Sequence, residues 1–222
     1  MDIKGIRIKL TEEYISNYAN IDEMRNWVLH YMKRIDFLYR IHEWIVNDTI
    51  KDLYDTNRNI SYKKAEKNIY ATGKSFAFKI EEGNMLKIIE GMAELLIPLI
   101  PLGTIVDLKK DHLSDTFDTE QIRNLRFMVD YRYSYYEESK IYLPYGGVVY
   151  PLGHLSDEKI LYFSPLLIEK VVHMGYKDEM EEAYEVEMKS ELILRKRMKS
   201  VVFASHDEKE QFEKLMKKYG GK

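Results

Sequence analysis

RFMVDYRYSYY, residues 126–136, places Phe127, Val129, Tyr131, Tyr133 and Tyr135 on one face of an extended chain. Met128, Asp130, Arg132 and Ser134 fall on the other. Alternation with one apolar face predicts a half-buried antiparallel strand. Downstream, 141–150 is a second extended run, in which Gly146-Gly147 predict a bulge or tight bend. Pro151-Leu152-Gly153 turns the chain and 160–163 reads as a short strand. Ser164-Pro165 then has the pattern of a helix start, an N-cap followed by proline at the first helical position. From there Leu167, Ile168, Val171 and Val172 are expected to face inward, with Gly175 ending the turn. Upstream, Met85, Ile88, Ile89, Met92, Leu95 and Leu96 repeat at helical spacing over 85–96. Pro98 stops that helix, and Pro101-Leu102-Gly103 turns into a strand over 103–108 with Thr104, Val106 and Leu108 on one face. A polar loop is expected over 109–124.

These elements predict an α+β fold: a small antiparallel sheet or partly closed barrel with a packed helix, residues 85–182. Mainly helical arms flank it, 1–84 before and 183–222 after. In the first arm, 3–10 carries a short-strand alternation (Ile6, Ile8, Leu10). Residues 20–47 lack Gly and Pro, and Asn20 followed by Asp22 and Glu23 suits a capped helix start. Met24, Val28, Tyr31, Ile35, Leu38, His42 and Ile45 make an apolar stripe along it, widened by Trp27, Ile41 and Trp44. Residues 51–75 read as mostly loop, with a turn near Asp55, Asn57 and Asn59 and a short helix at 62–70. In the second arm, 177–199 is acidic first and basic last, which complements a helix dipole and predicts one long helix. A terminal helix over 205–219 is capped by Ser205 or Asp207.

Composition narrows the function classes. The 222 residues are 45% hydrophobic and 32% charged, an ordinary globular balance, with a net charge of −3 that argues against a primary nucleic-acid binder. Absence of cysteine excludes thiolate metal sites, iron–sulfur clusters and a cysteine nucleophile. The six histidines (His30, His42, His112, His154, His173, His206) include no two within four residues of each other, so no helical two-histidine metal motif exists. Gly73-Lys74-Ser75 ends like a phosphate-binding loop, but the required earlier glycine is Asn68. The apolar stretch 95–102 is broken by Pro98 and Pro101 and is far shorter than the ~20 residues that cross a bilayer. The expectation is a cytosolic, non-enzymatic protein without cofactor or metal.

Three segments together carry a resemblance: LIPLIPLGTIVDLKK (96–110), RFMVDYRY (126–133) and YLPYGGVVYPLGHLSDEKILYFSPLLIEKVVHMGYKDEMEEAY (142–184). Their order resembles the domain-of-unknown-function family 4176 of Firmicutes. The resemblance rests on Pro101, Leu102, Gly103, Thr104, Val106 and Leu108. It continues through Tyr145, Gly147, Val148, Tyr150, Pro151 and Gly153, then Tyr162, Phe163, Ile168, Val171, Val172, Gly175, Tyr176, Asp178 and Glu179. What it implies is a genomic context of LXG toxins and type VII secretion, and a role as chaperone or targeting adaptor for an LXG effector, through the effector's N-terminal helical domain. Small helical secretion-accessory proteins are further partners it suggests, and an immunity protein against the toxin domain is the alternative. The N-terminal arm lies outside the family pattern. The residues expected to bind such a partner are Trp27, Tyr31, Leu38, Ile41 and Trp44 of the long helix, with Tyr131, Tyr133, Tyr135, Tyr145 and Tyr150 of the sheet. Aromatic side chains bury much area for little lost rotamer freedom. A homodimer is compatible with the striped helix; nucleic acid and membrane insertion are not expected.

Overall fold

The computed structural model describes residues 2–32, 34–47, 52–109, 125–154 and 160–219. The chain forms a mixed α+β protein and divides into two compact units, Met1–Ile97 and Pro98–Lys222.

The first unit opens with α1 (Ile3–Ser16), where a strand was expected. Asp2 caps it by accepting from the Gly5 N–H, and the inward residues are Thr11 and Ile15, four apart, rather than the alternating set. The long helix expected over 20–47 is two, α2 (Ile21–Tyr31) and α3 (Ile35–Asn47). Asn20 caps α2 through the Asp22 N–H, as the sequence indicates. At ~1.5 Å per residue a single rod would carry half its stripe away from any one core. The break lets Met24, Trp27, Val28 and Tyr31 of α2 share a cluster with Phe37, Leu38, Ile41, Trp44 and Ile45 of α3.

Residues expected to be loop and short helix form a four-stranded antiparallel meander: β1 (Asp52–Asp55), β2 (Ile60–Ala65), β3 (Asn68–Gly73) and β4 (Phe76–Glu81). Alternation is clearest in β4, where Phe76, Phe78 and Ile80 are buried and Ala77, Lys79 and Glu81 exposed. It escapes notice because Glu66 and Lys67, both at positive φ, make the β2–β3 hairpin turn without the usual Asn-Gly signal. The helix α4 (Glu82–Leu96) forms as expected but belongs to this unit, burying Met85, Ile88, Ile89 and Met92 in the same cluster against α1 and α3. The boundary therefore falls after Ile97, not before Met85. Gly91 makes the α1–α4 approach possible, because a Cβ there would meet the Tyr14 ring.

A buried hydrogen-bond chain crosses this core. The Trp27 indole N–H donates to Tyr62 Oη (2.7 Å), Tyr62 to Tyr31 Oη (2.9 Å), and Tyr31 to Asp55 Oδ2 (3.1 Å). Burial pushes the phenol pKa values of Tyr31 and Tyr62 up, and that of Tyr39 up to about 12, with Glu94 adding to the last. The unfolded chain gives up such protons near 10.0 while the folded one holds them, so the unfolded state binds fewer protons above that pH. Stability is expected to be complete below pH 10 and to fall as pH rises from 10 to 12. Urea midpoints that stay level across this interval would contradict it.

The second unit holds an open, mostly antiparallel sheet of six strands. β5 (Ile105–Leu108) pairs with β6 (Arg126–Tyr135), and β6 with β7 (Ile141–Tyr150). The outer edge of β7 is shared by β8 (Leu161–Phe163), opposite Tyr145–Gly147, and by β10 (Lys199–Ser200), parallel beside Ile141 and Tyr142. The sheet does not close into a barrel. The Ser164-Pro165 signal yields only a single 3-10 turn, because Ser164 makes no side-chain cap bond. The β-branched run behind it becomes β9 (Ile168–His173), antiparallel to β5 with two register shifts. Val171 is accordingly 37% exposed rather than inward. The expected long C-terminal helix is shorter: α5 (Glu179–Lys189) passes into a π-helical turn at Ser190–Arg195 before β10. The terminal helix α6 (His206–Tyr219) begins with a capping box, in which Ser205 Oγ accepts from the Glu208 N–H and the Glu208 carboxylate from the Ser205 N–H. Phe212 anchors it on Ile141, Leu143 and Ala204. Apart from Lys109, the polar loop expected over 109–124 lies outside the described residues, and so does His112.

Candidate protein-docking surface

The residues expected to contact a partner separate into two groups. Trp27, Tyr31, Leu38, Ile41 and Trp44 lie at 0–5% exposure inside the first unit, and Tyr133 and Tyr145 are buried in the second. Tyr135 is half-buried, while Tyr131 and Tyr150 are exposed. The first group is held by the chain's own core; only the second offers surface.

A one-residue register shift in β6 explains the split within the strand. Val129 pairs with Gly147 and Tyr131 with Gly146, so Asp130 is the extra residue of a bulge. After it the strand no longer keeps its tyrosines on one face. Tyr133 turns inward at positive φ, and Arg132, assigned to the wet face, has a side chain only 3% exposed. The bulge also aims Asp130 at His154, whose Nε2 lies 2.6 Å from Asp130 Oδ2. This exposed pair has no third member in hydrogen-bond contact among the described residues, so it fastens the turn after β7 to β6 and displays no nucleophile–base arrangement.

Arg132 instead meets α5. Its guanidinium forms a two-pronged ion pair with the Glu181 carboxylate, with Nη2 to Oε2 at 3.0 Å, and lies over the rings of Tyr133 and Tyr184. One turn on, Glu185 is fully buried, and its Oε1 accepts from the Leu99 N–H (2.9 Å) and from Lys189 Nζ (3.0 Å). Lys177 Nζ stands 3.8 Å from Oε2. The Tyr133 hydroxyl, beside this group, is buried without a hydrogen-bond partner among the described residues; burial first, and Glu185 second, oppose its ionisation. The inner face of α5 is thus fastened by charges, a device invisible to a search for apolar stripes.

Fastening the inner face fixes what the outer face presents. Met180 is 81% exposed and Tyr184, one turn later, 50%. Tyr176, 81% exposed, precedes Met180 by four residues, and Met174 and Leu102 extend the apolar surface. Leu102 is brought there by the turn before β5. Thr104 Oγ1 donates to the Pro101 carbonyl (2.7 Å) and accepts from the Gly175 N–H (3.0 Å). A Cβ on Gly175 would lie 2.1 Å from the Leu102 carbonyl oxygen, so backbone would have to move. Gly175→Ala is expected to cost about 1–3 kcal/mol, the range for overpacking. A far-UV circular dichroism melt unchanged from the parent would show that this contact is relieved freely.

Contiguous exposed apolar side chains are uncommon on soluble surfaces and mark docking sites. Here they sit beside acids, Asp178, Glu179 and Glu187, that are also exposed. Among the described residues no cluster of three metal-ligating side chains occurs, and no helix is long and apolar enough to cross a membrane.

Residues 99–184 match the model of the family described as domain of unknown function (DUF4176). The matched segment contains β5–β9 and the start of α5, and with them Leu102, Arg132, Met174, Tyr176, Met180 and Tyr184. No curated protein and no solved structure matches the chain.

Proposed function

We propose that this protein is a non-enzymatic cytosolic adaptor that binds the N-terminal helical domain of an LXG-type effector and holds it ready for export by a type VII secretion system. The observation that supports the reading is the exposed Leu102, Met174, Tyr176, Met180 and Tyr184 surface within the segment matching family 4176. A helical export domain displays an apolar stripe until it is paired, and a surface of methionine and tyrosine covers such a stripe at low entropic cost. Co-expression with the effector, cut into its helical and toxic halves, tests the reading. Recovery with the helical half and loss of effector export on deletion are expected; recovery with the toxic half alone overturns it.

The acids beside the surface favour one other reading, an immunity protein that presents Asp178, Glu179 and Glu187 to a basic toxin active site. Growth rescue of cells producing the toxic half, with export unaffected by deletion, is the outcome that selects it.

A further inference from the structure

The outer face of α5 specifies the chemistry of what docks there. Met180, Tyr184 and Met188 stand four residues apart on α5, the spacing of a single ridge on a helix, and Tyr176 lies in the segment that leads into it, two residues before the Asp178 cap. Tyr176 and Met180 are the two most exposed large apolar side chains among the described residues, both at 81%. Carboxylates stand beside the ridge: Asp178, Glu179 and Glu187 are exposed. Glu179 has no ion pair and Asp178 only the cap bond from the Glu181 N–H among the described residues, while Glu187 meets the exposed Arg195 at 3.6 Å. The helix cannot roll to hide the ridge, since Glu181 and Glu185 tie it to Arg132 and the Leu99 N–H, outside the helix.

We propose that this ridge is a track for one amphipathic helix of a partner protein, with an apolar stripe that packs on Tyr176, Met180 and Tyr184 and with Lys or Arg flanks that face Asp178, Glu179 and Glu187. The inference rests on the adaptor reading for the partner being a protein, and on the acids for its basic character. Flanking charges set partner choice in this way along helix pairs. A second copy of this chain would bring the same acids against each other, and an anionic lipid surface or a nucleic acid would be repelled.

The experiment uses the full chain and three fluorescent peptides of about 20 residues, long enough to form a helix. One carries leucine at helical spacing with lysine elsewhere, the second the same leucines with glutamate, and the third the first composition with its leucines spread around the helix. Anisotropy is expected to show the striped lysine peptide binding at least tenfold more tightly than either other, and weakening at least tenfold between about 0.05 M and about 0.5 M salt. Tyr176→Ser with Met180→Ser, both at exposed positions, should weaken it at least tenfold. Glu179→Lys with Glu187→Lys should turn the preference toward the glutamate peptide.

Equal binding of the striped and scattered lysine peptides would overturn the proposal, leaving diffuse attraction to acids. Indifference to the Tyr176/Met180 double variant would overturn it too, as would capture by phosphatidylserine vesicles in place of the peptide, or a dimer that the same double variant abolishes. The two readings fail separately. An effector domain bound equally by parent and variants sinks the track and spares the adaptor. Peptides that behave as expected, with no effector binding, do the reverse.

Discussion

Replacing Lys189 with methionine is expected to destabilise the second unit by about 3–5 kcal/mol, the loss that follows when one partner of a buried ion pair is removed. Lys189 is 2% exposed and Glu185 0%, and the pair is closed at 3.0 Å. Methionine fills most of the volume of the lysine stem, so cavity formation contributes little and the loss of the buried ammonium beside the Glu185 carboxylate dominates. Lys177, 3.8 Å away on the other carboxylate oxygen, moderates the loss without replacing a hydrogen-bonded ammonium. The decisive comparison adds Glu185→Gln. Glutamine still accepts from the Leu99 N–H and leaves no charge, so the double variant is expected within about 1–2 kcal/mol of the parent. Far-UV circular dichroism in urea is the suitable probe, because both tryptophans, Trp27 and Trp44, lie in the other unit. A single variant that costs less than about 1 kcal/mol would mean that water or another cation reaches Glu185.

Trp27→Ala is expected to cost about 3–5 kcal/mol in the first unit, the range for deleting a buried large aromatic. The side chain is 0% exposed, its ring lies 5.3 Å from that of Tyr31 and 5.9 Å from that of Phe78, and its N–H feeds the chain to Asp55. Its removal opens a cavity and takes away the donor to Tyr62. Trp44 fluorescence during urea unfolding reads the change, and a loss under about 1 kcal/mol would show that the site collapses around the gap. The result matters for function. Weaker partner binding by this variant is expected to track the unfolded fraction, whereas Met180→Ser should alter stability by no more than about 0.5 kcal/mol and lower binding directly.

That contrast follows from what a stripe can and cannot say. Trp27, Tyr31, Leu38, Ile41 and Trp44 form a wide apolar face, and the same spacing serves an interface or a core. Whether the chain covers the face itself depends on the meander, whose strands lie in residues 52–81. The meander was hard to read because Lys, Asn and Glu are scattered through it and its hairpin turns at Glu66-Lys67. The docking surface was hidden for the opposite reason. Met180 and Tyr184 sit in a run rich in acids, and the face they present is set by the buried side chains of Arg132 and Glu185, which look, in sequence, like surface residues.

Local chemistry alone determined several elements: the extended runs that became β6 and β7, the capped start of α2, the helix α4 before Pro98, and the Ser205 cap of α6. Each depends on neighbours a few residues apart, through alternation, side-chain caps or a missing proline donor. Tertiary structure alone decided that α4 joins the first unit, that two helices, α2 and α3, stand where one is expected over 20–47, that the run behind Ser164-Pro165 becomes an edge strand, and which aromatics stay outside. Those outcomes turn on burial against residues far along the chain. Burial is a property of the assembled core, and no local pattern contains it.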